Sequence, residues 1–78
     1  MRSISQIAIE INRDWRTPYF GAVPYLGAML KLDTLADMYG ADDARWIVLY
    51  FLSNAKTWRS ATARRIKAEL KEMLNVQN

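Results

Sequence analysis

Seventy-eight residues, 51% hydrophobic, with three Trp, four Tyr and two Phe, suffice for one packed domain and argue against intrinsic disorder. The chain has no cysteine and no histidine, which removes a disulfide framework, a thiol nucleophile, the commonest general base and the commonest transition-metal ligands. The net charge of +3 is unevenly placed: residues 56–72 carry Lys56, Arg59, Arg64, Arg65, Lys67 and Lys71 against Glu69 and Glu72, whereas residues 33–43 carry Asp33, Asp37, Asp42 and Asp43 and no base. A basic C-terminal third invites a polyanion or an acidic protein surface, and equally invites pairing with the chain's own acidic segment.

Ser3 followed by Gln6 fits a capping box, and Ile4, Ile7, Ala8, Ile11 and Trp15 then recur at helical spacing. This pattern predicts an amphipathic helix over residues 4–15, ending before Pro18 because the residue preceding a proline avoids helical backbone angles. Ile9 is the apolar residue off the stripe. Next comes an internal echo, Pro-Tyr-Phe-Gly-Ala-Val followed by Pro-Tyr-Leu-Gly-Ala-Met. Proline suits a first helical turn and glycine a close approach, so residues 17–23 read as a turn and residues 24–32 as a second helix, with Gly27 and Ala28 on its contact side. Tyr19, Phe20 and Tyr25 read first as core and second as an aromatic binding patch.

Asp33 is placed to cap a short third helix, with Asp37 favouring the same start and Leu35, Met38 and Tyr39 facing inward until Gly40 stops it. Asp42 then supplies the N-cap, and Asp43 first-turn negative charge, for the most hydrophobic stretch of the chain. Residues 46–52 read Trp-Ile-Val-Leu-Tyr-Phe-Leu, without a charge. The composition also suits a strand. An element of ~12 residues is long for a strand, and a lone strand would have no partner for its backbone, so residues 43–54 are expected to be a helix. It has two apolar sides, one of Ala44, Ile47, Val48, Phe51 and Ala55 and one of Trp46, Leu49 and Tyr50. A polar break over residues 53–60 contains Trp58. A last helix over residues 61–74 follows, with Ala63, Ile66, Leu70, Met73 and Leu74 inward and Arg64, Lys67 and Lys71 aligned beside them. Residues 75–78 are expected to fray. The expectation is therefore one all-α domain over residues 1–78, four or five short helices around a central hydrophobic one.

The apolar run is far short of the ~20 residues that cross a bilayer, and the N-terminal Met-Arg-Ser-Ile-Ser-Gln opens no uninterrupted apolar segment of a signal peptide. No membrane contact and a cytoplasmic location are expected. The pairs Asp33/Asp37 and Asp42/Asp43 sit where helix starts favour aspartate, so capping accounts for them without catalysis or Mg²⁺. No Gly-rich phosphate loop or dinucleotide fingerprint is present. The chain reads as non-enzymatic, with no metal and no cofactor.

Binding remains. Trp58 beside Arg59 is read as an exposed anchor, with Arg64, Lys67 and Lys71 completing a partner-binding set; packing of Trp58 under the last helix weighs the same. The same residues could serve nucleic acid, the bases on phosphates and Trp58 on an unpaired base, although the break is long for a helix-turn-helix. A chain this small covers its apolar surface with difficulty, so Trp46 and Tyr50 mark the expected contact if it forms a homo-oligomer.

Several segments together resemble a group of small proteins encoded by bacteriophages and prophages. They are Tyr-Phe-Gly-Ala-Val-Pro-Tyr-Leu at 19–26, Tyr-Gly-Ala-Asp at 39–42, Ile-Val-Leu-Tyr-Phe-Leu-Ser-Asn-Ala at 47–55, Trp58-Arg59 and Thr-Ala-Arg-Arg-Ile-Lys at 62–67. The resemblance spans nearly the whole chain and carries no catalytic residues over. It implies an accessory role in the host cytoplasm, on a host protein complex, a host defence system or a regulatory nucleic-acid site. The first expectation is accordingly a host-directed inhibitor that binds a host protein complex. The alternatives are a small DNA- or RNA-binding protein using the basic helix, and a self-assembling structural component.

Overall fold

Ser3 and Gln6 begin the fold as a reciprocal pair. Gln6 N donates to Ser3 Oγ at 3.1 Å, and Ser3 N donates to Gln6 Oε1 at 2.9 Å. The capping box opens helix α1, Ile4–Asp14, which buries Ile4, Ile7, Ala8 and Ile11 and leaves Ile9 outside. Its next free N–H groups find partners far along the chain, Ile4 N on Asp33 O at 2.9 Å and Ser5 N on Leu32 O at 2.8 Å. The start of α1 is thus satisfied by a loop as well as by its own cap.

The computed structural model describes residues 2–39 and 42–76. Among these, four α-helices are present and the chain is all-α apart from one minimal antiparallel pair. After α1 come a 3-10 turn, Phe20–Ala22, and helix α2, Val23–Met29. α2 ends three residues before the expected boundary at Leu32. Lys31 N and Leu32 N close tight turns onto Ala28 O and Met29 O, and the Leu32 and Asp33 carbonyls turn to α1. Gly27 is also not a contact residue: a Cβ built there meets nothing within 4 Å, while Ala28 is buried.

The third helix expected from Asp33 does not form. Asp37 Oδ2 accepts from the backbone N–H of Asp33 at 2.7 Å and of Thr34 at 3.1 Å. This side chain reaches back and fixes a turn in place of a helix, the usual competition between aspartate and regular structure. The turn leads into strand β1, Met38–Tyr39, which pairs with strand β2, Asp42–Asp43, in the register Met38↔Asp43 and Tyr39↔Asp42. The Gly40 stop lies outside the described residues.

Asp43 then caps helix α3, Ala44–Ser53, accepting from Trp46 N at 3.0 Å. Helix α4, Ala61–Val76, begins at Ser60, whose Oγ accepts from Ala63 N at 2.9 Å. It runs through Asn75, further than the expected frayed tail allowed; residues 77–78 lie outside the described residues. α1 packs on α2 and α4, and α3 packs on α2 and α4.

Large side chains from all four helices meet in one core, including Ile7, Ile11, Met29, Val48, Phe51, Ile66 and Leu70. At one end, Trp15 stacks on Trp58, ring centroids 5.6 Å apart and planes 12° apart, and Phe51 stands edge-on to both at 6.3 Å. The radius of gyration, 11.3 Å, is about what a packed chain of this length should have. The exposed apolar side chains described next therefore belong to a closed fold.

Candidate partner-binding surface

The residues expected to bind a partner divide into two groups. Trp58 is 3% exposed and is no surface anchor. Stacking on Trp15 buries its ring, and its indole N–H donates to Asp14 Oδ2 at 2.8 Å. Lys67 is withdrawn as well. Its ammonium donates to Ala55 O at 2.7 Å and Trp58 O at 2.6 Å, holding the turn between α3 and α4. Arg59, Arg64 and Lys71 remain exposed, with Arg59 Nε donating to Lys56 O at 3.1 Å.

Salt bridges give α4 two unlike flanks. On the α1 side, Arg65 pairs with Glu10, and Arg2 bridges Glu10 and Glu69, both at 2.7 Å. Hydrogen bonds from Arg2 and Arg65 hold the Glu10 carboxyl below its ordinary range. On the other side lie Lys67 and Lys71, with Arg59 from the preceding turn. Partial burial lowers the pKa of Lys67, and the charges of Lys71 and Arg59 lower it further. The acidic segment does not reach across to neutralise this flank through Asp37 or Asp43, whose carboxylates bond to their own turn and helix start.

The second apolar side of α3 is open. Ile47, Val48 and Phe51 enter the core, whereas Trp46 is 52% exposed, Tyr50 46% and Leu49 36%. Trp46 and Tyr50 stand one turn apart and stack at 6.0 Å; Tyr50 meets Tyr25 of α2 at 5.5 Å. The result is a file of three aromatic rings crossing from α3 to α2. Tyr19 and Phe20 extend the aromatic surface, 4.7 Å apart, with Phe20 79% exposed. These residues favoured a core reading in the sequence. Tyr25 does pack, partly buried, against the core, but Tyr19 and Phe20 lie outside, with Ala22, Leu26 and Met29 filling the space beneath them and α2. Gly21 lets Tyr19 lie beside α3: a Cβ there would be 2.6 Å from Tyr19 Cε2 and 2.7 Å from Asn54 Oδ1.

Beside this file a groove of about 610 Å³ runs between α3 and α4, lined by Leu49, Leu52 and Ser53 on one wall and Lys71, Leu74 and Asn75 on the other. Arg45 also lines it and donates to Leu74 O at 3.2 Å. Leu52 and Leu74 were legible as apolar positions but carried no signal of a groove, which depends on the spacing of two helices distant in sequence.

Among the described residues no group of three or more His, Cys, Asp or Glu is placed to hold a metal ion, and no helix is long and apolar enough to cross a membrane. Asp14, outside the ion pairs, accepts from Ser60 Oγ and Trp58 Nε1, and its pKa is lowered by those bonds. No protein-family model, curated protein or solved structure matches the chain.

Proposed function

We propose that this protein is a non-enzymatic binding module that docks a protein partner through the open side of α3, with Trp46 and Tyr50 as its anchors. The carrying observation is that the most apolar helix buries one side and leaves Trp46 and Tyr50 about half exposed in a file with Tyr25. Tryptophan and tyrosine are the residue types that dominate binding energy at protein interfaces, and rings already stacked lose little freedom on binding. The resemblance to phage-encoded accessory proteins directs the search for the partner to host protein complexes in the cytoplasm. Inhibition of such a complex is the corresponding role.

The test is a photo-crosslinking amino acid placed at Trp46 or Tyr50 in cells that make the protein, with Ile9 as the control position on the far side of α1. A protein adduct at 46 and 50 and not at 9, lost from pull-downs when Trp46→Ala and Tyr50→Ala are combined, is the expected result. Adducts only with a second copy of the chain would replace the reading with self-assembly.

A second reading is favoured by one observation, the exposure of Arg59, Arg64 and Lys71 on the flank of α4 away from the ion pairs of Arg2, Glu10, Arg65 and Glu69. Those bases suit phosphates. Binding to duplex and single-stranded nucleic acid across a salt series decides it, since phosphate contacts must weaken steeply with salt. No binding at low salt removes it.

A further inference from the structure

We infer that the groove between α3 and α4 seats an acidic amphipathic helix of the protein partner, its apolar stripe on Leu49, Leu52 and Leu74 and its carboxylates against Lys71 and Arg59. The inference rests on the docking reading above and specifies the partner's chemistry.

Three observations converge. The floor is apolar: Leu49 is 36% exposed and Leu52 half-buried, while Leu74, itself 7% exposed and part of the core, backs the opposite wall. The groove's lining contains no carboxylate among the described residues. At the end where Ser53 faces Lys71, Lys67 lies one helical turn before Lys71 and its ammonium reaches Trp58 O at 2.6 Å, beside Arg59 in the turn to α4. Four carboxylates have their partners elsewhere, Glu69 and Glu10 with Arg2 and Arg65 on the far flank, and Asp37 and Asp43 within their own turns. A groove between two helices, with leucines along it, Arg45 and Lys71 in its lining and no carboxylate there, is complementary to a helix with an apolar stripe and acidic flanks.

The other occupants fit less well. A nucleic-acid backbone satisfies the bases but leaves Leu49, Leu52 and the adjoining Trp46 facing phosphate and sugar, where apolar surface gains nothing. A second copy in a two-fold contact brings the Arg45 and Lys71 of one groove against the same bases of the other, with no carboxylate in either lining to meet them.

The experiment uses the full chain, isotopically labelled, and a synthetic helical peptide with a leucine stripe flanked by glutamates. Two controls accompany it, the same peptide with lysine for every glutamate and a short duplex DNA. Expected are amide shifts centred on Leu49, Leu52, Ser53, Lys71 and Leu74 with the glutamate peptide, no saturating shifts with the lysine peptide, and about tenfold weaker binding when Arg59→Glu and Lys71→Glu are combined. Circular dichroism of that variant should match the parent, because both side chains are exposed. Equal binding of the two peptides, shifts located on α1, or saturation of the same amides by DNA and not by the glutamate peptide overturns the inference. Its failure is separable from failure of the docking reading. A partner crosslinked at Trp46 and Tyr50 but indifferent to Arg59→Glu and Lys71→Glu leaves docking standing and removes the acidic helix. A groove that binds the peptide while Trp46→Ala and Tyr50→Ala leave partner capture unchanged does the reverse.

Discussion

The indole N–H of Trp58 donates to Oδ2 of Asp14 at 2.8 Å, joining the turn before α4 to the last residue of α1. The same carboxylate accepts from Ser60 Oγ, and that hydroxyl in turn caps α4 through Ala63 N. One acid at the surface therefore fixes both the position of a buried ring and the start of the longest helix. Trp58→Ala removes the stacked partner of Trp15 and an edge contact of Phe51. We expect it to cost about 3–5 kcal/mol in urea unfolding, most of the stability of a domain this size. Trp58→Phe keeps the ring and loses the donor, and should fall well short of that loss.

Stability should decline in acid, and Asp14 should account for part of the decline. Bonds from Ser60 and then Trp58 hold its pKa below the ordinary 3.8, backbone N–H groups of Asp33 and Thr34 do the same for Asp37, and Arg2 and Arg65 for Glu10. A carboxylate depressed in the folded state adds stability that is fully present above its unfolded pKa. That stability disappears as pH falls from about 4 through the folded value, because the unfolded chain takes up the proton first. The urea midpoint followed from neutral pH into acid should drop over that window, and Asp14→Asn should drop less steeply. An identical slope in the variant would show that Asp14 contributes nothing to it.

Gly21 and Gly27 should respond to alanine with opposite signs. At Gly21 the new methyl would lie 2.6 Å from Tyr19 Cε2 and 2.7 Å from Asn54 Oδ1, displacing the ring and the amide that bonds Tyr50 O. A loss of roughly 1–2 kcal/mol is expected, moderated by the freedom of the exposed Tyr19 ring. At Gly27, inside α2, nothing lies within 4 Å and the helix gains the better helix former. There alanine should add about 0.5–1 kcal/mol. Paired thermal melts give both signs directly.

Neighbouring residues of α3 should separate stability from binding. Phe51→Ala empties a fully buried site and should cost about 3–5 kcal/mol. Trp46→Ala and Tyr50→Ala remove rings that are about half exposed, and each should change stability by no more than about 1 kcal/mol, the scale of their mutual stacking. Their effect should be on partner capture. If either unfolds the protein, the ring is structural and the proposed anchor is lost.

The elements legible in the sequence are those defined by local chemistry. Ser3 and Gln6 give the start of α1, the aspartate pair gives that of α3 to within one residue (Asp43 is the cap, where Asp42 is expected), and the stripes of α1 and α4 give their inward faces. Length and the lack of a pairing partner sufficed to make residues 46–52 helical against their β-forming composition. What could not be read depends on groups distant along the chain. Nothing local says that Trp58 will find Trp15, or that Lys67 will turn inward to two carbonyls rather than outward with Lys71. The loop at residues 33–37 failed for a nearer reason. Asp37 was read as favouring a helix start, but it serves the N–H groups of Asp33 and Thr34 from the C-terminal side. Of the candidate surface, the Trp46/Leu49/Tyr50 side of α3 was legible as a second apolar side, and the groove beside it was not.

In α3, positions 47, 48 and 51 serve the core while 46, 49 and 50 face outward, so two sets of residues are interleaved on one rigid rod. The rod is clamped from behind before any partner arrives, and the backbone beneath Trp46 and Tyr50 needs no ordering when contact is made. The proposed docking should therefore be rigid, with little change in the protein's hydrogen exchange beyond the covered face. On the proposed docking, substitutions in the outward set would retune what is recognised while the inward set continues to hold the fold.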